Sequence, residues 1–291
     1  MRAGIARLTT ILAATSLAIS GAVSSAVSPA VSPGDERPAT DRRTGGPSEK
    51  EKAPPDGTEK WKPPSPPGAR QRAAEREKMV ASQIARSPDA RKPVRSRSVL
   101  EAMRRVPRHA FVPARLRKYA YADSPLPIGH GQTISQPYIV AWMSELLELE
   151  PGHRVLEIGS GSGYQAAVLA HLTPHVFTVE IVEPLARRAR QVLGAEGYRG
   201  VQTRRSDGYL GWAEKGPFDA IIVTCAAGHL PPALWKQLKP GGRIVVPIGS
   251  PHAVQRLVLL RKTPEGKRRS KTLGPVRFVP LTRPKGSKKR N

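Results

Sequence analysis

The spacing of apolar residues along this chain changes at three places. Leu8–Val23 is sixteen residues without a charge, rich in Ala, Leu and Ile. From Val27 to Arg70 large apolar residues become scarce, and Trp61 is the only one between Gly34 and Arg70. From Gln71 a helical period sets in, with Ala73, Val80 and Ile84 near one face of Gln71–Arg86, a stretch without Pro or Gly. Val99–Arg105 reads as a short helix opened by a capping box of Ser98 and Glu101 and ended by Pro107. Pro137 suits the first turn of another helix, with Trp142, Met143, Leu146 and Leu147 at core spacing and Pro151-Gly152 closing it.

Beyond Pro151 short apolar runs alternate with helical patterns. Val155–Ile158, Val176–Val179, Val201–Arg204 and Phe218–Thr224 read as strands, separated by helices at Tyr164–Leu172 and Pro184–Leu193. A helix at Pro232–Leu238 follows, and Arg243–Pro247, Gln255–Leu260 and Val276–Val279 complete seven strands. Strands alternating with helices predict an α/β domain with a parallel sheet covered on both faces. Its length, about 220 residues, suits one core.

Composition defines what surrounds that domain. Arg2 and Arg7 precede the apolar run, and Ser24-Ser25-Ala26 offers a small-residue exit, which together read as an export signal over residues 1–26. A buried helix or a retained membrane anchor fits the same residues, although the run is short for a span. Val27–Arg70 holds ten prolines and five glycines among 44 residues, too little apolar surface to offset the entropy of ordering, and reads as a disordered linker. The periodic part, read as the folded domain, therefore spans 71–282, with a basic tail at 283–291.

The net charge of +25 invites a nucleic-acid partner. Its distribution argues otherwise: residues 131–260 carry only +2, whereas 71–130 carry +9 and 261–291 carry +11. One cysteine excludes a disulfide framework and a four-thiolate metal site. His109 and His130 lack metal-ligand spacing, so no metal is expected. Cys225, ending an apolar strand, reads as a buried small hydrophobe rather than a reactive thiol.

The candidate chemistry starts at Glu157-Ile158-Gly159-Ser160-Gly161-Ser162-Gly163-Tyr164, a glycine loop between a strand and a helix. A dinucleotide fingerprint would place its third glycine at position 164, which is Tyr164. Alternate glycines preceded by an acid suit S-adenosylmethionine better, because Glu157 then faces a cationic ammonium and sulfonium. Glu180, closing the second strand, can accept hydrogen bonds from ribose hydroxyls, and Asp207-Gly208 ends the third strand where an adenine could be held. Taken singly, Glu157 or Glu180 reads equally well as a solvated strand-end carboxylate. The combination points to a methyltransferase-type site.

At Val106–Pro113, Leu126–Gly129, Gln132–Tyr138, Val155–Tyr164, Phe218–Thr224, Leu238–Gly249 and Arg277–Leu281 the chain resembles the protein L-isoaspartate (D-aspartate) O-methyltransferase family. The resemblance runs from about Gln71 to Thr282. It implies a Rossmann-like methyltransferase sandwich, a seven-stranded mostly parallel sheet with an antiparallel last strand, behind an N-terminal helical extension. It places Ser135 at the active-site serine, and Thr133, Ile134, Gly159, Gly161, Glu180, Asp207, Gly208 and Thr282 at cofactor contacts; Glu157 and Gly163 join them from the loop itself. The implied reaction methylates the free α-carboxylate of L-isoaspartyl residues in damaged proteins, with S-adenosyl-L-methionine as donor. Ser135 would orient that carboxylate, since no His–Asp pair accompanies it to make a hydrolase triad. Read without the family, Ser135 is a helix cap beside Pro137.

Two rival readings remain on the sequence. A nucleic-acid methyltransferase would interleave aromatics with its basic clusters, and Arg261–Lys271 and Arg283–Asn291 contain none. No nucleic acid is therefore expected as a partner. A silent binding protein whose basic tail grips anionic envelope surfaces would not need the full cofactor constellation, although the tail can make weak contacts of this kind in addition to catalysis. Isoaspartyl proteins and peptides are the expected substrates, and a monomer the expected state. The leader directs the chain to the periplasm or outside the cell; the family resemblance implies the cytoplasm instead, and an uncleaved leader a membrane tether. Sequencing the mature N-terminus should find it near Val27; an intact Met1 on exported protein would overturn cleavage.

Overall fold

The computed structural model describes residues 61–86, 92–250 and 253–284. The leader at 1–26, the linker as far as residue 60 and the tail beyond residue 284 lie outside the described residues. Of the linker, residues 61–70 are described, and they correct the boundary at Gln71. Pro67–Arg70 forms a 3-10 turn with Gly68 buried, and the Gly68 N–H donates to Glu196 Oε2 at 3.1 Å. The packed chain therefore starts upstream of Gln71.

Helix α1 (Ala73–Met79) continues into a π-helical turn at Val80–Ala85; Val80 and Ile84 are buried as their spacing predicts and Met79 joins them, whereas Ala73, expected on the same face, is exposed. Helix α2 (Arg97–Arg105) starts two residues earlier than expected. Its N-cap is Ser96, whose side chain accepts from the Val99 N–H at 3.4 Å, so the Ser98/Glu101 capping box is not formed. Glu101 instead pairs with Arg105 one turn on, at 2.7 Å. The buried Arg76 ties this extension together, its guanidinium donating to the carbonyls of Arg104, Ala69 and Gln71.

Two short strands, β1 (Leu126–Gly129) and β2 (Gln132–Ile134), pair antiparallel ahead of helix α3 (Pro137–Leu146). Four and three residues are too few for alternation to announce a strand. The N-cap of α3 is Gln136, with no side-chain cap bond, which removes Ser135 from the capping role.

The main sheet follows: β3 (Arg154–Ile158), α4 (Tyr164–Leu169), β4 (His175–Glu180), α5 (Glu183–Ala195), β5 (Gln202–Arg205), β6 (Phe218–Val223), α6 (Pro232–Gln237), β7 (Leu238–Ile248), β8 (Gln255–Lys262) and β9 (Arg268–Val276). Strand order is β5-β4-β3-β6-β7-β8-β9. The first five lie parallel; β8 is antiparallel to β7, and β9 antiparallel to β8. Alternate residues go to opposite faces, as a period of two requires. Val155, Ala220, Ile222 and Val245 pack beneath α1 to α4, while Leu156, Ile158, Ile221, Val223, Ile244 and Val246 form the second core. The strand expected at Val276–Val279 is displaced: the seventh strand is Arg268–Val276. Its outer residues are charged and exposed, so no apolar alternation betrays it.

The strand order reverses between β3 and β6, since β4 and β5 build away to one side and β6 and β7 to the other. In open α/β sheets ligands bind at the strand C-terminal ends beside such a reversal. Replacing Ser96 with Ala should lower stability by about 1 kcal/mol, the usual worth of an N-cap, whereas Ser98→Ala should change it far less. Urea denaturation of the two variants checks the difference.

Candidate active site

The loop after β3 is built from backbone that few side chains tolerate. Gly159 has φ +97°, and a Cβ there would stand 2.7 Å from Thr224 Oγ1. Gly163, at φ +88°, is the N-cap that swings the chain into α4. Only glycine fits both demands at once: a left-handed turn and a close approach. Thr224, just past β6, is within hydrogen-bond reach of the Ile158 and Gly159 carbonyls at 2.9 and 2.7 Å, locking the turn to the neighbouring strand.

Glu180, at the end of β4, fixes the same loop from the other side. Its Oε2 accepts from the Gly161 N–H at 2.8 Å, and its Oε1 accepts from the N–H groups of Ile181 and Val182 at 3.0 and 2.9 Å. A carboxylate offers about four acceptor sites, so these three bonds leave room for one more donor. Glu180 is thus a structural staple as well as a candidate ribose contact.

Glu157 is fully buried on β3. Its Oε2 accepts from Thr178 Oγ1 at 2.5 Å, and Ser160 Oγ lies 2.6 Å from the same threonine hydroxyl. Its Oε1 has no hydrogen-bond partner. Burial, reinforced by the neighbouring Glu180 charge, pushes its carboxyl up to about 8, against a partial offset from the Thr178 bond. A buried carboxyl with one free oxygen is costly to ionise unless a cation faces it.

These residues line a narrow slot of about 60 Å³, together with Thr133, Ile134, Ser135, Gly159, Gly161, Gly208 and Thr282. Gly208 lets the chain pass close beneath, since a Cβ there would meet Ile158 Cγ2 at 2.5 Å. Two expected residues stand outside the lining. Gly163 backs onto α5, its absent Cβ facing Leu193 at 3.2 Å. Asp207 is held at the rim: Oδ1 accepts from the Tyr209 N–H at 2.9 Å and Oδ2 from Arg283 Nε at 3.1 Å. Arg283 also lies 4.4 Å over the Tyr209 ring.

One wall of the slot is the returning segment Val279–Thr282. It is held to the end of the sheet by Ala226 N–H to Val279 O and Leu281 N–H to Ala226 O, each 2.8 Å. A wider cavity of about 490 Å³ adjoins, lined by Pro125, Gln136, Ile139, Val254 and Pro275–Phe278. Thr133, Ser135, Thr224 and Val279 line both spaces. The Ser135 side chain therefore stands at the junction.

The protein-L-isoaspartate(D-aspartate) O-methyltransferase (PCMT) family model matches residues 80–286. The chain belongs to this family. The Polaromonas protein-L-isoaspartate O-methyltransferase 2 is 56% identical over 191 residues, covering 66% of this chain and 90% of that one. A Nitrosospira multiformis relative, protein-L-isoaspartate O-methyltransferase 1, is 55% identical over 216 residues, 74% of this chain and 90% of its own. Among solved structures, a protein-L-isoaspartate O-methyltransferase aligns with TM-score 0.60 and 31% identity, over 64% of this chain and 61% of that chain. A Plasmodium falciparum beta-aspartate methyltransferase structure in complex with S-adenosyl-L-homocysteine aligns with TM-score 0.61 and 25% identity, over 71% and 98%.

Within the family frame, sequence reasoning passed over Gln132, Gln165, Thr224 and the Val279–Leu281 wall. Thr224 could have been found, because it follows the strand beside β3 at the reversal. Val279–Leu281 lies in a segment that carries the family resemblance, but its position as a wall could not be read, since it depends on the chain returning from β9. Among the described residues no group of three metal-ligating side chains occurs. His109 is buried against Tyr121 and Gln71, at 2.6 and 3.3 Å. Cys225 lines the slot from a buried position, and burial pushes its thiol well above its ordinary range, so it is not a ready thiolate.

The raised Glu157 carboxyl gives a signed expectation. A folded pKa of about 8 against an ordinary 4.5 means its stabilising contribution is full below about 4.5 and lost as pH rises through about 8. Glu157→Gln should therefore gain melting temperature relative to the parent above pH 8, and little at pH 5. A gain of equal size at both pH values would show that Glu157 does not titrate in this window.

Proposed function

We propose that this chain transfers a methyl group from S-adenosylmethionine to the free α-carboxylate of L-isoaspartyl residues in damaged proteins. The observation that carries the reading is Ser135 at the junction of the glycine-loop slot and the wide cavity, with no hydrogen-bond partner among the described residues. When bound, S-adenosylmethionine supplies an electrophilic methyl on a sulfonium.

The residues present fit that donor. The free Oε1 of Glu157 is an orphaned buried acceptor at the slot, and a nearby cation restores its ionisation. The loop at Gly159 and Gly161, with Gly208, forms a cradle without side chains, and the last acceptor site of Glu180 remains for a hydroxyl. Thr133, Ile134 and Thr282 close the slot around it. Asp207 reaches the cofactor only after exchanging a present partner, Arg283 or the Tyr209 N–H.

On the acceptor side Ser135 donates a hydrogen bond that aims the substrate carboxylate across the junction. No general base is needed, because a carboxylate is already ionised near neutral pH. The work left to the site is alignment and removal of water from a well-hydrated oxygen. Ile139, Val254, Pro275 and Phe278 supply the apolar surface for the second task. The methoxy group of the resulting ester leaves more readily than the oxygen of a free carboxylate, so the neighbouring backbone amide nitrogen attacks the ester carbonyl and expels methanol to give a succinimide, which water then opens partly to normal aspartate.

Purified protein with labelled S-adenosylmethionine should methylate an isoaspartyl peptide, in a base-labile form, and leave its aspartyl twin and RNA unlabelled. Label in RNA, or none in the peptide, would sink the proposal. Ser135→Ala should lower turnover roughly ten- to hundredfold, the worth of one hydrogen bond to a charged group, while cofactor affinity stays within about twofold. An unchanged rate would make the serine architectural.

A further inference from the structure

Strand β9 ends the sheet, and among the described residues β8 is its only sheet partner. The exposed edge carries Arg268, Arg269 and Lys271, whose backbones pair with β8 but whose side chains have no ion-pair or hydrogen-bond partner among the described residues. Directly across the ladder stand more cations, Arg261 opposite Arg269 and Lys262 opposite Arg268. Like charges facing each other across strands are destabilising. The β8 members are partly relieved: Arg261 reaches Glu148 at 3.2 Å, and Lys262 donates to the Leu238 carbonyl at 2.8 Å. The β9 members are not.

Charge on an edge strand guards against unwanted pairing, and a lysine or two suffices for that. Here three cations cluster, and a fourth follows nearer the site. Leu273 is the extra residue of a bulge, which bends an edge strand. Beyond it Pro275–Val279 lines the wide cavity, with the exposed Arg277 among them. At a rise of about 3.3 Å per residue, Arg268 lies roughly 30 Å along the chain from Arg277. Unpaired cations thus stand at both ends of this edge segment, Arg268, Arg269 and Lys271 at the far end and Arg277 beside the space that Ser135 lines, with the uncharged Thr272–Val276 between them.

We propose that β9 is a docking rail for an extended acidic polypeptide segment flanking the methyl-accepting residue, so that isoaspartyl sites in acidic stretches are selected. The inference rests on the methyltransferase reading. Carboxylates on the flank meet cations that lack partners, and the substrate backbone can use the free edge for strand addition. A nucleic acid fits less well, because Arg261–Lys271 offers no aromatic ring for a base.

The test uses two peptides with one isoaspartyl core, their flanks carrying several glutamates or the same number of glutamines. The acidic-flank peptide should show a KM roughly three- to tenfold lower at low salt with kcat unchanged, and the gap should close as salt screens the charges. Combined Arg268→Gln, Arg269→Gln and Lys271→Gln should abolish the difference while turnover of the neutral peptide and cofactor affinity stay unchanged. Equal KM values in the parent, or a preference that survives in the variant, overturns the rail. Direct binding of a labelled acidic peptide lacking isoaspartate separates the two proposals. If neither isoaspartyl peptide is methylated, the reaction fails; if the acidic peptide does not bind, the rail fails. Single-stranded RNA of equal charge binding more tightly than the peptide overturns the polypeptide assignment.

Discussion

The left-handed turn that ends β3 is the constraint on which the rest of the site depends. The sheet must stop there, a helix must begin, and a ligand must be able to approach the backbone between them. Gly159 and Gly163 meet the conformational demand, but flexible glycines alone would give a loop with no fixed shape. Rigidity comes from the neighbours: Thr224 holds the turn from the β6 side, and Glu180 holds the Gly161 amide from the β4 side. Both anchors sit at the ends of strands that flank β3 because the strand order reverses there. The cradle is therefore a property of three parallel strands rather than of the loop.

Burial then decides what the acids do. Three carboxylates at strand ends look alike in sequence, yet their surroundings give them different states. Glu180 spends its oxygens on backbone amides. Asp207 shares its own between an amide and Arg283. Glu157, enclosed on the core side of β3 with one oxygen unpartnered, is held neutral well above the ordinary range and is the only one of the three poised to respond to a cation. The same contrast runs through the cations. Arg76 is buried and held by three carbonyls and the Tyr121 hydroxyl, while the side chains of the arginines on β9 are exposed and unpaired among the described residues.

Much of the sheet could be read from the chain because its central strands are apolar on both faces and bounded by turns. Val155–Ile158, Val176–Val179 and Phe218–Thr224 match β3, β4 and β6 to within a residue or so at each end. The last strand was misplaced for a physical reason: an edge strand needs neither an apolar face nor a period, and β9 exposes its charged residues. The helix cap was misplaced by two residues because Ser96 and Ser98 are chemically equivalent, and only the backbone angle at Ser96 shows which one turns the chain. The linker boundary shifted because Gly68 is ordered by Glu196, a partner 128 residues away.

Local sequence determined the glycine turn, the strand–helix alternation, the acids at strand ends and the confinement of positive charge to the flanks. These follow from backbone sterics and composition, which act over a few residues. The tertiary fold alone decided that Ser135 bridges two spaces, that Val279–Thr282 walls one of them, and that Glu157 is neutral while Glu180 is engaged. Each of those outcomes depends on which distant segments come into contact, and desolvation and hydrogen bonding are set by contact rather than by order along the chain.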